Sequence, residues 1–185
     1  YAAGGGVYIE GSGTNTLTNC SITGNTASAS SDSASDSDYS SSIGGGVSIN
    51  SSGTNTLTNC SVTSNTASAS GYSSSRGGGV YIYKNATLLG TMNITGNTAK
   101  VGSTSSDNNL YLMNSNTVAL GDSSGNTLST SSNIGVSTYR TPTSSTPIQF
   151  ATSASEEMKA CFTPDDGNYI VKYNSSDKGL YLGVG

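Results

Sequence analysis

The chain of 185 residues contains no histidine and no tryptophan. Without histidine, a Ser/His/Asp triad, a Cys/His dyad and any histidine-ligated metal site are excluded. Charge is scarce too: 7 basic residues stand against 11 acidic ones, 10 % of the chain in all, for a net charge of −4. With no basic cluster there is no electrostatic footprint for a phosphate backbone, so a nucleic-acid partner is not expected. No apolar run approaches the roughly 20 residues of a membrane-spanning helix, so no membrane span is expected in this chain. Neither a start methionine nor a signal-like segment opens it, and Tyr1 reads as the start of a processed or excised piece.

What the chain has in abundance is 37 Ser, 24 Thr, 18 Asn and 24 Gly, more than half of all residues. Such a polar composition with only 32 % hydrophobic residues would by itself read as disorder, because little apolar surface offsets the chain entropy. Periodicity overrules that reading. Residues 4–27 (GGGVYIEGSGTNTLTNCSITGNTA), 44–67 (GGGVSINSSGTNTLTNCSVTSNTA) and 77–99 (GGGVYIYKNATLLGTMNITGNTA) are copies of one unit, with linkers of unequal length between them. Constant units joined by variable linkers indicate a stacked array with surface loops.

Aligned on their GNTA-like ends, the copies form apolar columns. These are Val7, Val47 and Val80; Ile9, Ile49 and Ile82; Leu17, Leu57 and Leu89; Cys20, Cys60 and Met92; Ile22, Val62 and Ile94; and Ala27, Ala67 and Ala99. Val-x-Ile and Cys-x-Ile alternate with period two, the strand period. A unit this short cannot bury its own apolar face and must stack on a copy of itself, at the strand spacing of about 4.8 Å. The fold expected is therefore all-β, a right-handed parallel β-helix of about four coils over residues 1–134. Its fourth coil, 109–134, is degenerate: Leu110 and Leu112 stand for Val-x-Ile, and the Gly triplet and GNTA motif are missing. Residues 135–185 read as a C-terminal cap, with one helical turn near 154–160 and a β-hairpin turning at 174–179. Nothing equivalent covers the first coil, so its open edges are expected to meet a removed segment or another subunit.

GGGVYI followed by SITGNTA resembles the paired motifs of bacterial polymorphic outer-membrane proteins and related right-handed β-helix surface proteins. Ile22-Thr-Gly-Asn25, Val62-Thr-Ser-Asn65 and Ile94-Thr-Gly-Asn97 match the second motif, with an aliphatic residue where that family usually has Phe. The resemblance covers residues 4–134 well and the tail loosely. It implies a right-handed β-helix at the bacterial cell surface or outside the cell, with adhesive or structural roles; the anchoring barrel of many relatives is absent from these residues.

The candidate sites are few. Asn25, Asn65 and Asn97 are expected to form an amide ladder along one corner. The Gly triplets are expected at tight corners needing positive φ rather than at a phosphate-binding loop, since no helix or placed Lys follows them. Cys20, Cys60 and Met92 read as an inward row; a disulfide between Cys20 and Cys60 is an open alternative. Asp32, Asp36 and Asp38 offer carboxylates to calcium in a loop that lacks EF-hand spacing. Glu156-Glu157 and Asp165-Asp166 are adjacent carboxylates that are expected to point apart, and with Glu10, Lys84 and Arg76 scattered, no acid/base/cation cluster assembles. Tyr8, Tyr81, Tyr83 and Tyr111 are expected to form an exposed strip able to bind sugars or a partner chain. Asn-x-Ser/Thr sequons at Asn19, Asn59, Asn85, Asn93 and Asn174 follow from the abundance of Ser and Thr, and Asn19 and Asn59 are expected within strands.

The sequence thus points to a non-enzymatic extracellular structural protein needing no cofactor, a surface stalk or a fibre subunit that self-associates head-to-tail. The alternative is an adhesin-type module presenting loops 28–43, 68–76 and 100–108 to a host glycan or protein. A polysaccharide-active β-helix enzyme ranks third.

Overall fold

The computed structural model describes residues 1–31 and 41–185. The alternation of each repeat becomes short strands, and strands of one repeat pair in parallel with the same strands of the next. Among the described residues the chain is all-β apart from one 3-10 helix, Glu156–Cys161. The acidic segment holding Asp32, Asp36 and Asp38 lies outside the described residues.

Three parallel walls enclose the core, a β-solenoid-like arrangement. Val7–Gly11, Val47–Ser51, Val80–Ile82 and Leu110–Leu112 form the first. Asn15–Thr18, Asn55–Thr58, Ala86–Leu89 and Val118–Ala119 form the second. Ser21–Thr23, Ser61–Thr63 and Asn93–Thr95 form the third. At the base, Asn133–Thr138 serves two walls at once, pairing Ile134 with Ile94 and Val136 with Leu110. This strand runs through the expected boundary at 134/135, so repeats and cap share one sheet.

The aliphatic columns point inward and are the core. Ile49, Leu57, Val62, Val80, Ile82 and Ile94 are fully buried, each contributing on the order of 1.5–3 kcal/mol of burial free energy. One column differs from the expected alignment. Leu57 pairs with Leu88, and Leu89 lies beside Thr58. The register offset is 33 at Ile49/Ile82, 31 at Leu57/Leu88 and 32 at Val62/Ile94. The third repeat therefore drops two residues at the corner before Ala86 and regains one at Gly90, whose φ of 62° only glycine adopts freely. Aligning on the repeat ends hides this because the two changes nearly cancel.

The linkers between repeats are structured as well. Thr26–Ser31, Thr66–Gly71 and Thr98–Val101 stack as a fourth parallel ladder. Ala2–Ala3, Ser41–Ile43 and Ser74–Arg76 stack as a fifth.

The stack closes at its C-terminal end by reversing strand direction. Thr104–Asp107 runs antiparallel to Thr98–Val101, and Gly179–Val184 runs antiparallel to Ile148–Thr152. The hairpin lies where the sequence placed it, with Tyr169–Asn174 against Gly179–Val184 and Asn174 opposite Gly179. Beneath the last repeat, Phe150 and Phe162 meet edge-on with ring centroids 5.1 Å apart. At the other end, Ala2–Ala3, Val7–Gly11, Asn15–Thr18, Ser21–Thr23 and Thr26–Ser31 all form outer edges of their sheets.

Candidate functional site

Two features rise above the plain stack: a directional asparagine ladder inside it and a tyrosine cluster on its first wall.

The ladder starts at the GNTA corners. Asn25 donates its backbone N–H (2.9 Å) and its side-chain amide (3.0 Å) to Oδ1 of Asn65. Asn65 does the same to Oδ1 of Asn97, at 3.0 Å for both bonds. Amide nitrogens also donate to nearby carbonyls, Asn65 to Ile22 at 2.9 Å and Asn97 to Val62 at 2.8 Å. Asn65 and Asn97 are buried, and their polar atoms are satisfied only because every rung repeats.

The fourth repeat has no GNTA motif, yet the ladder continues. Asn97 donates to Oδ1 of Asn109 at 2.9 and 3.0 Å. Asn109 precedes Leu110, which pairs with Val80, so it stands in the column of Gly79 and reaches across to the missing rung. The last acceptor is Asp165, which takes the Asn109 backbone N–H at 2.9 Å and amide at 2.6 Å, and the Ser137 hydroxyl at 2.7 Å. A carboxylate accepts and does not pass the pattern on. Burial pushes the Asp165 carboxyl above the usual carboxylate range, and the donors from Asn109 and Ser137 offset only part of that. The sequence pattern shows Asn25, Asn65 and Asn97; Asn109 and Asp165 were missed, since neither sits in the repeated motif.

The Gly triplets serve this ladder. Only the first glycine of each has positive φ, at 63° for Gly4, 61° for Gly44 and 62° for Gly77. The third is glycine for want of room: a Cβ on Gly46 would meet the Asn65 amide nitrogen and the Gly79 carbonyl oxygen.

The row of Cys20, Cys60 and Met92 points inward, and Met92 Sδ lies 3.4 Å from the Cys60 backbone nitrogen. All three cysteines are free thiols; Cys60 and Cys161 are buried and Cys20 is half-buried. Burial pushes the thiols of Cys60 and Cys161 up. Val47 and Val80 are buried and Val7 packs half-buried above them.

The tyrosines divide in two. Tyr8 and Tyr83 are exposed at 40 % and 38 %, and the Lys84 ammonium lies 5.3 Å from the Tyr83 ring. Tyr81 and Tyr111, expected in the same exposed strip, are buried at 4 % and 8 %. Their rings stack with centroids 5.8 Å apart and 6° between planes. They lie under a second small core with Ile43, because the linker strands fold back over the outer face of the wall. Burial raises the Tyr81 phenol to about 12, and the Tyr111 phenol also rises. Arg76 lies 5.7 Å from the Tyr139 ring and donates to the Ser74 hydroxyl at 3.2 Å. Tyr1, Asn50, Arg76, Tyr81 and Tyr83 line a hollow of about 290 Å³.

The remaining candidates do not converge. Asp165 turns into the ladder while Asp166 accepts from the backbone and amide of Asn168 at 2.9 and 2.8 Å. Among the described residues no group of three or more Cys, Asp or Glu is placed to hold a metal, and no helix is long and apolar enough to cross a membrane. Asn19 and Asn59 lie at exposed corners with φ of 54° and 53°, not within strands. The side-chain Oδ1 of Asn59 accepts the Thr91 N–H there at 2.9 Å.

No family model, no curated protein and no solved structure matches the chain. The likeness to outer-membrane repeat proteins rests on the short repeat motifs alone.

Proposed function

We propose that this chain is a structural element without catalytic activity, a length of rigid β-solenoid stalk displayed outside the cell. The observation that carries the reading is the ladder's single direction. From rung to rung every donation to an Oδ1 runs toward the C-terminal end, where Asp165 terminates it and antiparallel strands close two sheets. A closed end and walls of Ser and Thr suit a passive scaffold.

Of the two structural roles, stalk and head-to-tail fibre, ladder polarity favours the stalk. A copy stacked by its C-terminal end would bring the acceptor Asp165, rather than a donor, toward the open top. Sedimentation velocity at tens of micromolar with negative-stain microscopy tests this. Short rigid particles are expected; long unbranched filaments would replace the stalk reading by the fibre. Protease shaving of intact source cells tests the location, and loss of the chain from the surface is the expected outcome.

The adhesin reading is favoured by one observation, the exposed Tyr8 and the exposed Tyr83 with Lys84 over its ring. A glycan or host-protein contact there would weaken on Tyr83→Ala and leave the fold intact.

A further inference from the structure

Ala2–Ala3, Val7–Gly11, Asn15–Thr18 and Ser21–Thr23 of the first repeat each pair in register with their copies in the second repeat, and among the described residues no strand pairs with their other side. Val7, Ile9, Leu17 and Cys20 continue the core columns and are only half-buried. Edges of this kind are templates for strand addition.

The open edge is chemically directional. Oδ1 of Asn65 and of Asn97 each accepts a backbone N–H and an amide from the rung before it. Among the described residues none donates to Oδ1 of Asn25. Whatever covers this corner must bring donors. The corner beside it also demands glycine: a Cβ on Gly5 would strike the Gly45 carbonyl oxygen, and one on Gly45 would strike that of Gly78. A covering strand that rides over Gly5 meets the same constraint.

A second folded copy meets neither demand. Each of its inner repeats is already covered on the side that would face Asn25, and its last repeat ends on antiparallel strands and Asp165. Two first repeats placed face to face would oppose one Asn25 oxygen to another.

We infer that the N-terminal face is a docking edge for one further parallel coil of this same repeat type. That coil carries glycines above Gly5 and Gly6, aliphatic residues above Val7 and Ile9, and an asparagine above Asn25 that donates to its Oδ1. It continues an interface the chain already makes twice within itself. The inference goes beyond the stalk reading and does not depend on location outside the cell.

The test extends the full chain. Tyr1–Ala3 are replaced by a copy of residues 44–76, with Cys60→Ala in the copy so that Cys20 remains the reporter. Iodoacetamide labelling of Cys20 is expected to slow at least tenfold, toward the rate of Cys60, and the added segment to survive proteinase K. A second variant carrying Asn65→Asp in the copy, which removes the amide donor at nearly constant shape, is expected to restore most of the Cys20 labelling. Labelling at the natural rate, with the extension trimmed away, overturns the inference. So does protection of Cys20 that rises with concentration in the unextended chain, which would assign the face to a second copy. Filaments of the unextended chain in which Cys20 still labels at its dilute rate, with Cys20 protected in the extended chain, would sink the stalk reading alone.

Discussion

Asn109 gives both its backbone N–H and its side-chain amide to the carboxylate of Asp165, at 2.9 and 2.6 Å. The first residue replaces a glycine of the repeat and the second lies in the cap, so this contact ties the solenoid to its closing end.

Asp165→Ala removes the acceptor of two Asn109 donors and of Ser137, and is expected to cost about 1–3 kcal/mol, the penalty for stranded buried polar groups. Asp165→Asn keeps an acceptor in the shape used by every upper rung and is expected to cost less than about 1 kcal/mol at neutral pH. Urea unfolding of the two variants checks the order.

The same residue makes stability depend on pH. Burial raises its folded value above the unfolded one, so the folded chain holds the proton more tightly. Its contribution is fully present below the unfolded carboxylate value of about 3.9 and is lost as pH rises through the higher folded value. The urea midpoint of the parent minus that of Asp165→Asn is expected to fall as pH rises above the unfolded carboxylate value of about 3.9. A difference that rises over this range would mean that the native fold favours the ionised form.

Position along the ladder sets the cost of losing a rung. Asn65→Ala strands the half-buried Asn25 donors and the buried Ile22 carbonyl, for about 1–3 kcal/mol by the cost of unpaired buried groups. Asn25→Ala, at the half-exposed first rung, is expected to cost about 1 kcal/mol or less. Equal losses in chemical denaturation would argue that the ladder is not directional in its energetics.

Glycine matters where the next carbonyl lies close. Gly45→Ala is expected to destabilise by about 2 kcal/mol or more, as overpacking against backbone does, because its Cβ would meet the Gly78 and Thr66 carbonyl oxygens. Gly13→Ala, where a Cβ meets nothing within 4 Å, is expected to be neutral or stabilising by about 0.5 kcal/mol. Thermal melts of the pair are the measurement.

The buried tyrosines behave as core. Tyr81→Ala removes a ring stacked on Tyr111 and is expected to cost about 3 kcal/mol, in the range of large aromatic truncations. Tyr8→Ala, on the same wall and exposed, is expected to change stability by less than about 0.5 kcal/mol.

The repeat, the inward columns, the asparagine row and the hairpin were legible because they are periodic and local. Val7, Val47 and Val80 announce a stacked strand by position alone, and the turn between Asn174 and Gly179 is written in residue types. The burial of Tyr81 and Tyr111 was not legible, since it depends on linker strands around Ile43 folding back over an outer wall. The shift from Leu89 to Leu88 was hidden by two compensating changes in length.

The 24-residue rhythm was enough by itself to determine a stacked β architecture, and the absence of histidine to exclude histidine triads, dyads and metal sites. Only the tertiary structure decided where the ladder stops and which way it points. A row of asparagines has no direction until its amides choose between the rung above and the rung below. That choice is fixed at each corner by the backbone N–H, which donates to the Oδ1 of the next rung, and Asp165, 56 residues beyond Asn109, accepts the last donation.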